Sequence, residues 1–405
     1  MATVDVRCLT LHADYVCGRS GVCCSTEWRI SVGPEDMVRV EGALQDGRLP
    51  EAELRGKALD EIFRPDVRHP GLRIVDVSSG GCHFHGGSSC RIHDTAGEAA
   101  LPDVCRIFPR LAVQHPRGTS VTLSHFCPTA AELLFREDKS DKDLLAVQRP
   151  GRSFSGKREL RGLDAREHLP PLLSPNRPMS WTAFEKWQSM ALMHVASATR
   201  GPEAALSSLC DHTEELRRAA SIDDALRRMK DRLASPEPVK VPKELGTFLR
   251  VFAWITELLE RRTQKSSFTR TSLEPFVRRY YDSPGGPTRM RDDAVAAQDS
   301  LQRLSSPLRR YVAARLFASY HSYQGHGLRT SLLAVTLAHA LVRTIFASDL
   351  RARGAEVPDR ELLKTAFRVT DCLFLHDWSQ AELARRLSAV ESESPETVKE
   401  LLYGA

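Results

Sequence analysis

Seven cysteines in the first third of the chain are the residues whose type and spacing could do chemistry. They are Cys17, Cys23, Cys24, Cys82, Cys90, Cys105 and Cys127. Three of them fall within one short Gly-containing loop, and the other four follow well downstream. Thiolates are soft, anionic ligands that suit zinc, copper(I) and iron–sulfur clusters. If the seven serve one site, the chain has to fold back several times to close it.

Disulfides and unrelated buried thiols are the alternatives to metal ligation for the ten cysteines of this chain. A disulfide scaffold usually belongs to a small secreted protein. This chain has 405 residues, long stretches without cysteine and no apolar segment after Met1 that predicts a secretory signal. The adjacent Cys23 and Cys24 would bond each other only with strain. We therefore interpret the cysteines as ligands of a metal or a cluster.

The spacing alone leaves the metal open between zinc and an iron–sulfur cluster. Structural zinc sites commonly use C-x2-C pairs, and this chain has none. Neither the C-x3-C-x2-C loop of radical enzymes nor ferredoxin spacing is present. Seven thiols are also more than one zinc ion needs, so either a subset holds a cluster or two metals are bound.

Four stretches share a pattern with a known family. Cys17-x-x-Ser20-Gly21-x-Cys23-Cys24 resembles a CxxCGxCC signature, and the blocks at 82–93, 101–110 and 124–131 follow in the family's order. They read Cys-His-Phe-His with Cys-Arg-Ile-His, then Leu-Pro-Asp-Val-Cys-Arg-Ile-Phe-Pro-Arg, then Ser-His-Phe-Cys-Pro-Thr-Ala-Ala. The pattern is similar to that of the cysteine-cluster family described as zinc- or iron-chelating, the YkgJ-like proteins.

Within that family the chain resembles the flagellin lysine N-methylase branch most, through Trp28, the Phe108-Pro109-Arg110 run and the Cys-Pro-x-Ala-Ala ending. The resemblance covers residues 8–137, and the later half, with 372–377, is similar only in outline. It implies S-adenosylmethionine-dependent methyl transfer to a protein lysine in a bacterial cytoplasm. It also implies an iron–sulfur cluster, 4Fe-4S in type, or zinc as cofactor, with flagellin as a candidate partner. The alternative is a zinc- or iron-chelating interaction module without enzymatic activity.

The signature departs from the family at Ser20, where a second cysteine is expected. A serine hydroxyl is not a strong ligand for a soft metal. If the family's centre uses that position, either Cys8 substitutes for it or other thiols hold the metal. Four ligands drawn from the seven cysteines are expected, and the sequence does not choose among them.

Several other residues near the cysteines are secondary candidates. His83, His85, His93 and His125 are either ligands or supporting residues. Arg106 and Arg110 either offset thiolate charge or form surface salt bridges. His376 with Asp377 is a weak acid–base candidate, while Cys210 and Cys372 fall on helical patterns and are expected to be buried. No residue is singled out for catalysis or for binding S-adenosylmethionine.

Composition places the chain among soluble globular proteins. Its net charge of +5 gives no argument for nucleic-acid binding, and 41% hydrophobic with 27% charged residues is ordinary. The most apolar run, 332–347, contains His339 and Arg343 and is too short to cross a bilayer comfortably. We expect a cytoplasmic protein with a protein partner and no membrane contact.

The expected fold class is α+β. Residues 1–137 are predicted to form a small cysteine-rich domain, 138–178 a Pro-rich linker or wrapping segment, and 179–405 an all-helical domain. In the first region we predict strands at 28–32, 72–77 and 119–126 and helices at 33–44, 101–108 and 128–135. In the last we predict helices at 181–198, 203–218, 222–233, 243–262, 292–304, 307–323, 327–353, 360–376 and 396–403.

Overall fold

A five-stranded mixed β-sheet lies at the N-terminal side of the fold. A computed structural model describes residues 5–26, 28–77, 80–149, 162–166, 171–198, 201–233, 267–282, 284–318, 326–353, 357–377 and 380–391. The strands are β1 (Val6–Leu9), β2 (Ser31–Val32), β3 (Phe63–Pro65), β4 (Arg73–Val75), β5 (Arg110–His115), β6 (Gly118–Leu123), β7 (Val147–Gln148), β8 (Leu163–Asp164), β9 (Leu172–Ser174) and β10 (Arg177–Pro178). The large sheet has the order β7-β1-β6-β5-β8. β1 is parallel to β6 and β5 to β8, and the other pairs are antiparallel.

A smaller antiparallel sheet of order β2-β4-β3 carries its own core. Short helices surround it, among them Pro34–Gln45, whose proline occupies the first turn, where a missing N–H is harmless. The Asp36 carboxylate accepts hydrogen bonds from the backbone N–H of Gly33 (2.8 Å) and of Asp103 (2.9 Å). It therefore ties the start of one helix to the start of the helix Asp103–Ile107, which carries Cys105.

Helices make up the described part of the chain after residue 180. They are Trp181–Ser197, Pro202–Arg218, Ile222–Leu233, Ser267–Tyr280, Gly286–Arg303, Ser305–Leu316, Leu328–Arg353, Asp359–Asp371 and Gln380–Glu391, with a π-helical turn at Cys372–Asp377. The short helices before residue 150 are Thr10–Ala13, Pro34–Gln45, Leu59–Ile62, Arg91–Ala96, Asp103–Ile107, Pro128–Leu133 and Asp141–Leu144.

The helix Leu328–Arg353 is the centre of the helical part. By length and composition it is apolar enough to cross a membrane, but 94% of its most apolar window is buried inside the protein. Burial on all sides explains why the helix is hydrophobic all round. The helix is thus longer than the apolar run 332–347 suggested, and its burial, not its length, is what fits a core helix.

The large sheet and the helices share one hydrophobic core, which extends from Leu9 in β1 to Leu387 in the last described helix. A polar contact crosses the same boundary, since Thr122 Oγ1 in β6 donates to the backbone oxygen of Ala314 (3.1 Å). Other polar contacts join the helices to one another. The buried Arg310 donates to Asp141 Oδ1 (2.7 Å) and to the backbone oxygen of Leu134 (2.8 Å). The helices thus support the large sheet from one side of the shared core.

The structure agrees with the predicted class at the level of helices combined with a mixed sheet. Predicted strands at 28–32, 72–77 and 119–126 correspond to β2, β4 and β6, and the three early helices are present with shifted ends. The helices predicted at 243–262 and 396–403 lie outside the described residues, as do the last residues of 307–323. The domain boundaries stay a prediction. The segment 138–178 contributes β7, β8, β9 and β10 to sheets.

Candidate functional site

A cavity of about 820 Å³ lies beside the N-terminal region. Its wall comes from the loop of residues 15–24, the hairpin around 82–93, the helix Asp103–Ile107, residues 127–129 and the π-helical turn. All seven cysteines predicted as ligands line it: Cys17, Cys23, Cys24, Cys82, Cys90, Cys105 and Cys127. The fold therefore brings residues that are far apart in sequence to one cavity.

The loop of residues 17–24 is shaped by Gly21. This glycine has a φ of +67°, in the left-handed region, and its carbonyl accepts a hydrogen bond from the backbone N–H of Cys24 (2.8 Å). A Cβ added at Gly21 would lie 2.8 Å from the backbone nitrogen of Ser89. Glycine thus allows the loop to turn and to approach the backbone just before Cys90.

A backbone contact joins this loop to the second cysteine segment. The Cys82 N–H donates to the carbonyl of Cys24 (2.7 Å), and a Cβ on Gly81 would lie 2.9 Å from that same oxygen. On the other side, the His85 N–H donates to the Cys82 carbonyl (2.8 Å), and His85 pairs with Cys90 across a tight hairpin. Backbone geometry therefore fixes three of the cysteines against one another.

Five thiols form one interacting group. The Cys24 thiol hydrogen-bonds with the thiols of Cys23, Cys82 and Cys90, and these contacts raise its pKa. The same hydrogen bonds from Cys24 lower the pKa of Cys23 and of Cys90, which favours their thiolate forms. Burial raises the pKa of the Cys105 thiol, and the charges of Cys82, Cys23 and Cys90 raise it further. We call these residues the five-thiol group.

Cys17 and Cys127 lie together at another corner of the cavity. The hydroxyl of Tyr15 is 3.4 Å from Cys127 Sγ. A Cβ added at Gly18 would lie 2.5 Å from Thr129 Oγ1, so the chain on both sides of Cys17 touches the segment that begins at Cys127. Burial raises the pKa of Cys127, and the charge of Cys17 adds to it. We call these two cysteines the Cys17–Cys127 corner.

The residue types of the five-thiol group fit a soft metal, although their arrangement is not that of a finished site. Within the described ranges, no group of three or more His, Cys, Asp or Glu side chains is placed to hold a metal ion. The Cys24 thiol nevertheless interacts with three of the other thiols, Cys105 is coupled to the group through charge, and two of the five have a lowered pKa. Such donors suit zinc or an iron–sulfur cluster and suit hard cations poorly. Ligation would require the thiols to converge further.

The four candidate histidines take different positions. His93 lines the cavity, and burial lowers its pKa. The ring of His85 lies beside Gly21, while His83 is buried, with its pKa lowered by that burial. His125 is fully buried and its Nδ1 is 3.1 Å from Asp371 Oδ2. Only His93 of the four borders the cavity, so the others have supporting positions.

Arg106 and Arg110 both line the cavity near Cys105. Arg106 also lies 3.7 Å from Asp103 in an (i, i+3) ion pair, which is the salt-bridge alternative considered from sequence, while a role in offsetting thiolate charge stays a prediction. The Arg110 guanidinium is 5.5 Å from the centre of the Tyr15 ring and donates to the Arg106 carbonyl (2.9 Å). The two guanidinium groups thus interact with Asp103, Tyr15 and the Arg106 carbonyl.

Three aromatic rings, those of Trp28, Phe108 and His376, form one wall of the cavity, which we call the aromatic wall. The rings of Trp28 and His376 are 4.5 Å apart, and Phe108 packs at 5.8 Å from Trp28 and 5.7 Å from His376. His376 Nε2 lies 2.7 Å from Ser124 Oγ. Burial lowers the pKa of His376 to about 4, so the imidazole is neutral at pH 7. Its π-helical turn is a geometry often found at functional sites.

Sequence reasoning gave Trp28 and Phe108 no role in the site, although both belong to the family pattern. That pattern was the signal that could have found them. His376 was considered only with its neighbour Asp377, whereas the structure pairs it with Ser124.

The remaining cysteines lie in the protein interior. Cys8 stands in β1 and is not among the residues that line the cavity, whereas Ser20 is. Burial raises the pKa of Cys8 to about 12, which disfavours a thiolate there. Cys8 therefore does not replace the sulfur that Ser20 lacks. Cys210 and Cys372 are buried, as predicted.

No family model, curated protein or solved structure matches this chain.

Proposed function

We propose that this protein binds a soft metal centre in the cavity, a 4Fe-4S cluster in the first instance and zinc as the alternative. The observation that carries the proposal is that all seven cysteines between Cys17 and Cys127 line one cavity. Unrelated buried thiols have no reason to converge in this way. The five-thiol group supplies more sulfur donors than the four that a cluster or a structural zinc ion needs.

Within that group, we propose that Cys23 and Cys90 would be the thiols that ligate a metal most readily. The hydrogen bonds from Cys24 lower their pKa, and a thiol must lose its proton to ligate a metal. Cys24 would also ligate as a thiolate, because the positive charge of a bound metal ion would offset the effect of the neighbouring thiols on its pKa. Cys82 is held to Cys24 through the backbone, so both sulfurs arrive together. Cys105, from a separate helix, closes the set.

We further propose that the protein transfers a methyl group from S-adenosylmethionine to a protein lysine. The methyl carbon forms a bond to the deprotonated lysine nitrogen, and the carbon–sulfur bond breaks with its electron pair going to sulfur. The lysine nitrogen then loses a proton. A cavity of about 820 Å³ is within the size range of small-molecule sites. When bound, an iron–sulfur cluster would offer an open iron to which the amino nitrogen and the carboxylate of the cofactor could coordinate, or it would brace the loops around the cavity.

Among the described residues that line the cavity, His376 is positioned to relay the proton that the lysine releases, and its low pKa means that it passes the proton on to water and does not keep it. Its imidazole borders the cavity, and its low pKa keeps it neutral at pH 7. The Ser124 hydroxyl, 2.7 Å away, fixes the ring orientation. His376→Gln should therefore lower the rate of methyl transfer while leaving metal content unchanged.

A protein partner is supported by the apolar rim of the cavity. Val16 and Val104 line the cavity and are 70% and 44% exposed. Exposed apolar side chains around a site mark contact surfaces. Flagellin is the candidate substrate. The same rim also favours the second function, a metal-stapled interaction module without catalysis. In either case we place the protein in the cytoplasm, where a reducing environment keeps thiols free.

Metal analysis of the protein purified without oxygen tests the first proposal. Iron and acid-labile sulfide in equal amounts are expected, and Cys24→Ala should lose them while the matched control Cys210→Ala, a buried thiol outside the cavity, keeps them. A colourless protein with tightly bound zinc would exclude the cluster.

Incubation of the loaded protein with methyl-labelled S-adenosylmethionine and flagellin from the same cell then separates enzyme from module. Labelled flagellin supports the enzyme. Flagellin that binds without acquiring label supports the module. For Cys23→Ser, loss of methylation with an unchanged circular dichroism spectrum indicates a catalytic centre, and loss of the spectrum indicates a structural one.

A further inference from the structure

The Cys17–Cys127 corner is set apart from the five-thiol group by its contacts. Cys17 lies between two residues that touch the same opposing segment: the Tyr15 hydroxyl is 3.4 Å from Cys127 Sγ, and Gly18 packs directly on the Thr129 side chain. These two contacts, two residues before Cys17 and one after it, hold the Cys17 backbone opposite Cys127. The Cys17 Sγ atom accepts a hydrogen bond from the Arg19 backbone N–H (3.4 Å). It is also near enough to Cys127 for its charge to raise the pKa of that thiol.

The two thiols also differ in access. Cys17 is exposed and open to solvent, whereas Cys127 is 6% exposed at the N-terminus of the helix Pro128–Leu133. An exposed thiol that can be attacked first, with a buried thiol behind it, is the arrangement of an attacking and a resolving cysteine. The five-thiol group already contains enough sulfur for a metal centre, so this corner is not needed to complete one.

We propose that Cys17 and Cys127 form a reversible disulfide, a redox site separate from the metal-binding thiols. The oxidant is a small disulfide such as oxidised glutathione. The Cys17 thiolate attacks one glutathione sulfur, breaks the glutathione disulfide and releases one glutathione thiolate, which takes a proton. The Cys127 thiolate then attacks the Cys17 sulfur, and the second glutathione leaves as thiolate and is protonated. Two protein thiols are oxidised and one glutathione disulfide is reduced to two thiols.

The consequence of the disulfide is mechanical. It would fasten the loop of residues 15–24 to the start of the helix Pro128–Leu133 along one side of the cavity. Cytoplasmic disulfides are usually transient and regulatory, and an exposed one is easily reduced again. The Cys17–Cys127 disulfide would therefore narrow the cavity under oxidising conditions. When the glutathione pool is reduced, the bond would be cleaved and the loop would be free again.

Peptide mapping tests the proposal on the full-length protein. Tryptic cleavage separates the relevant thiols: peptide 8–19 carries Cys8 and Cys17, and peptide 118–136 carries Cys127 alone. Peptides 20–29, 74–91 and 92–106 carry the five-thiol group. After oxygen-free treatment with oxidised glutathione and blocking of free thiols, mass spectrometry should find 8–19 joined to 118–136, and reduction should release both.

Matched variants make the result decisive. Cys8→Ser should still give the linked pair, which assigns the bond to Cys17. Cys17→Ser should abolish it, and Cys127→Ser should leave glutathione attached to peptide 8–19. The inference is overturned if Cys8→Ser gives no link, or if peptide 20–29 joins 118–136 as readily.

Metal content measured in the same samples separates this inference from the proposed function. Unchanged metal in the linked protein supports two independent thiol sites. Metal released in proportion to the linked peptide would mean that Cys17 and Cys127 belong to the ligand shell, and would overturn the separation while leaving metal binding itself intact. If peptides 8–19 and 118–136 become linked in protein that contains no metal even when purified without oxygen, the proposed metal centre is refuted and the redox pair is supported.

Discussion

Replacement of Gly21 by alanine should destabilise the cysteine loop more than the same replacement at Gly47. Both glycines have left-handed backbone conformations, with φ of +67° and +74°. They differ in their surroundings. A Cβ at Gly21 would lie 2.8 Å from the nitrogen of Ser89 and 2.9 Å from the carbonyl carbon of Ser88, whereas nothing lies within 4 Å of one at Gly47. The pair of variants therefore separates backbone strain from steric contact.

The expected free energies follow from those two terms. An alanine in the left-handed region costs about 1–2 kcal/mol, and the reduced freedom of the unfolded chain returns about 0.4–1 kcal/mol. Gly47→Ala should thus lose about 1 kcal/mol of unfolding free energy. Gly21→Ala has the same terms and an overpacking cost of about 1–3 kcal/mol, because the atoms it meets belong to backbone that cannot rotate away. The difference between the variants should be about 1–3 kcal/mol.

Urea unfolding followed by circular dichroism measures both variants, with thiols kept reduced. Metal content at equal protein concentration gives a second readout, because Gly21 positions the loop that carries Cys23 and Cys24. We expect Gly21→Ala to lose metal and Gly47→Ala to keep it. Equal unfolding free energies with equal metal content would refute the view that close approach of the loop to Ser88 and Ser89 shapes the site.

Two further predictions concern buried carboxylates that support the fold. Asp371→Asn should lower the free energy of unfolding in urea by about 3–5 kcal/mol. The fully buried carboxylate accepts a hydrogen bond from the Tyr311 hydroxyl (2.8 Å), and its loss leaves the charge of Arg315 uncompensated. A loss below about 1 kcal/mol would contradict this reasoning. The second carboxylate is Glu203. Burial alone would raise its pKa, but the charge of Arg343 and the hydrogen bond with His339 outweigh burial and lower the pKa from 4.5 to about 2. The ionised form therefore stabilises the fold above pH 4.5, by about 3 kcal/mol, and this stabilisation is lost as the pH falls towards 2. The free energy of unfolding of Glu203→Gln should be lower than that of the wild type at pH 7 and equal to it near pH 2. A constant difference between the two proteins from pH 7 to pH 2 would contradict this.

The helical half was largely predictable because its signals are local. Ser180 accepts a hydrogen bond from the Ala183 N–H (3.1 Å) and begins the helix Trp181–Ser197, as its sequence pattern indicates. The five-stranded sheet was mostly missed. β1 pairs with β6 in the register Val6 to Thr119, a partner that no local pattern identifies, and β7 and β8 have two residues each, too short to alternate.

The residue types of the candidate site were predictable, whereas their grouping was not. The spacing of the cysteines predicts that neighbours in sequence share one site. Cys17 and Cys23 are only six positions apart, yet Cys17 lies in the Cys17–Cys127 corner and Cys23 in the five-thiol group. What separates them is the turn at Gly21 and the packing of Gly18 on Thr129, which depend on distant backbone. The aromatic wall was not predicted for a similar reason, because His376 lies in the last third of the chain, far in sequence from Trp28 and Phe108.

Ser20 supplies the last test, because it stands where the family pattern has a cysteine and it lines the cavity. If the five-thiol group alone holds the metal, a sulfur at position 20 adds nothing to a ligand set that is already complete. Ser20→Cys should then bind the same amount of metal per chain as the wild type. It should also divert part of the disulfide, giving peptide 118–136 a second partner. An additional metal ion per chain would show instead that Cys17 and Cys127 form an incomplete metal site that lacks one sulfur, and the division into metal-binding and redox thiols would be wrong.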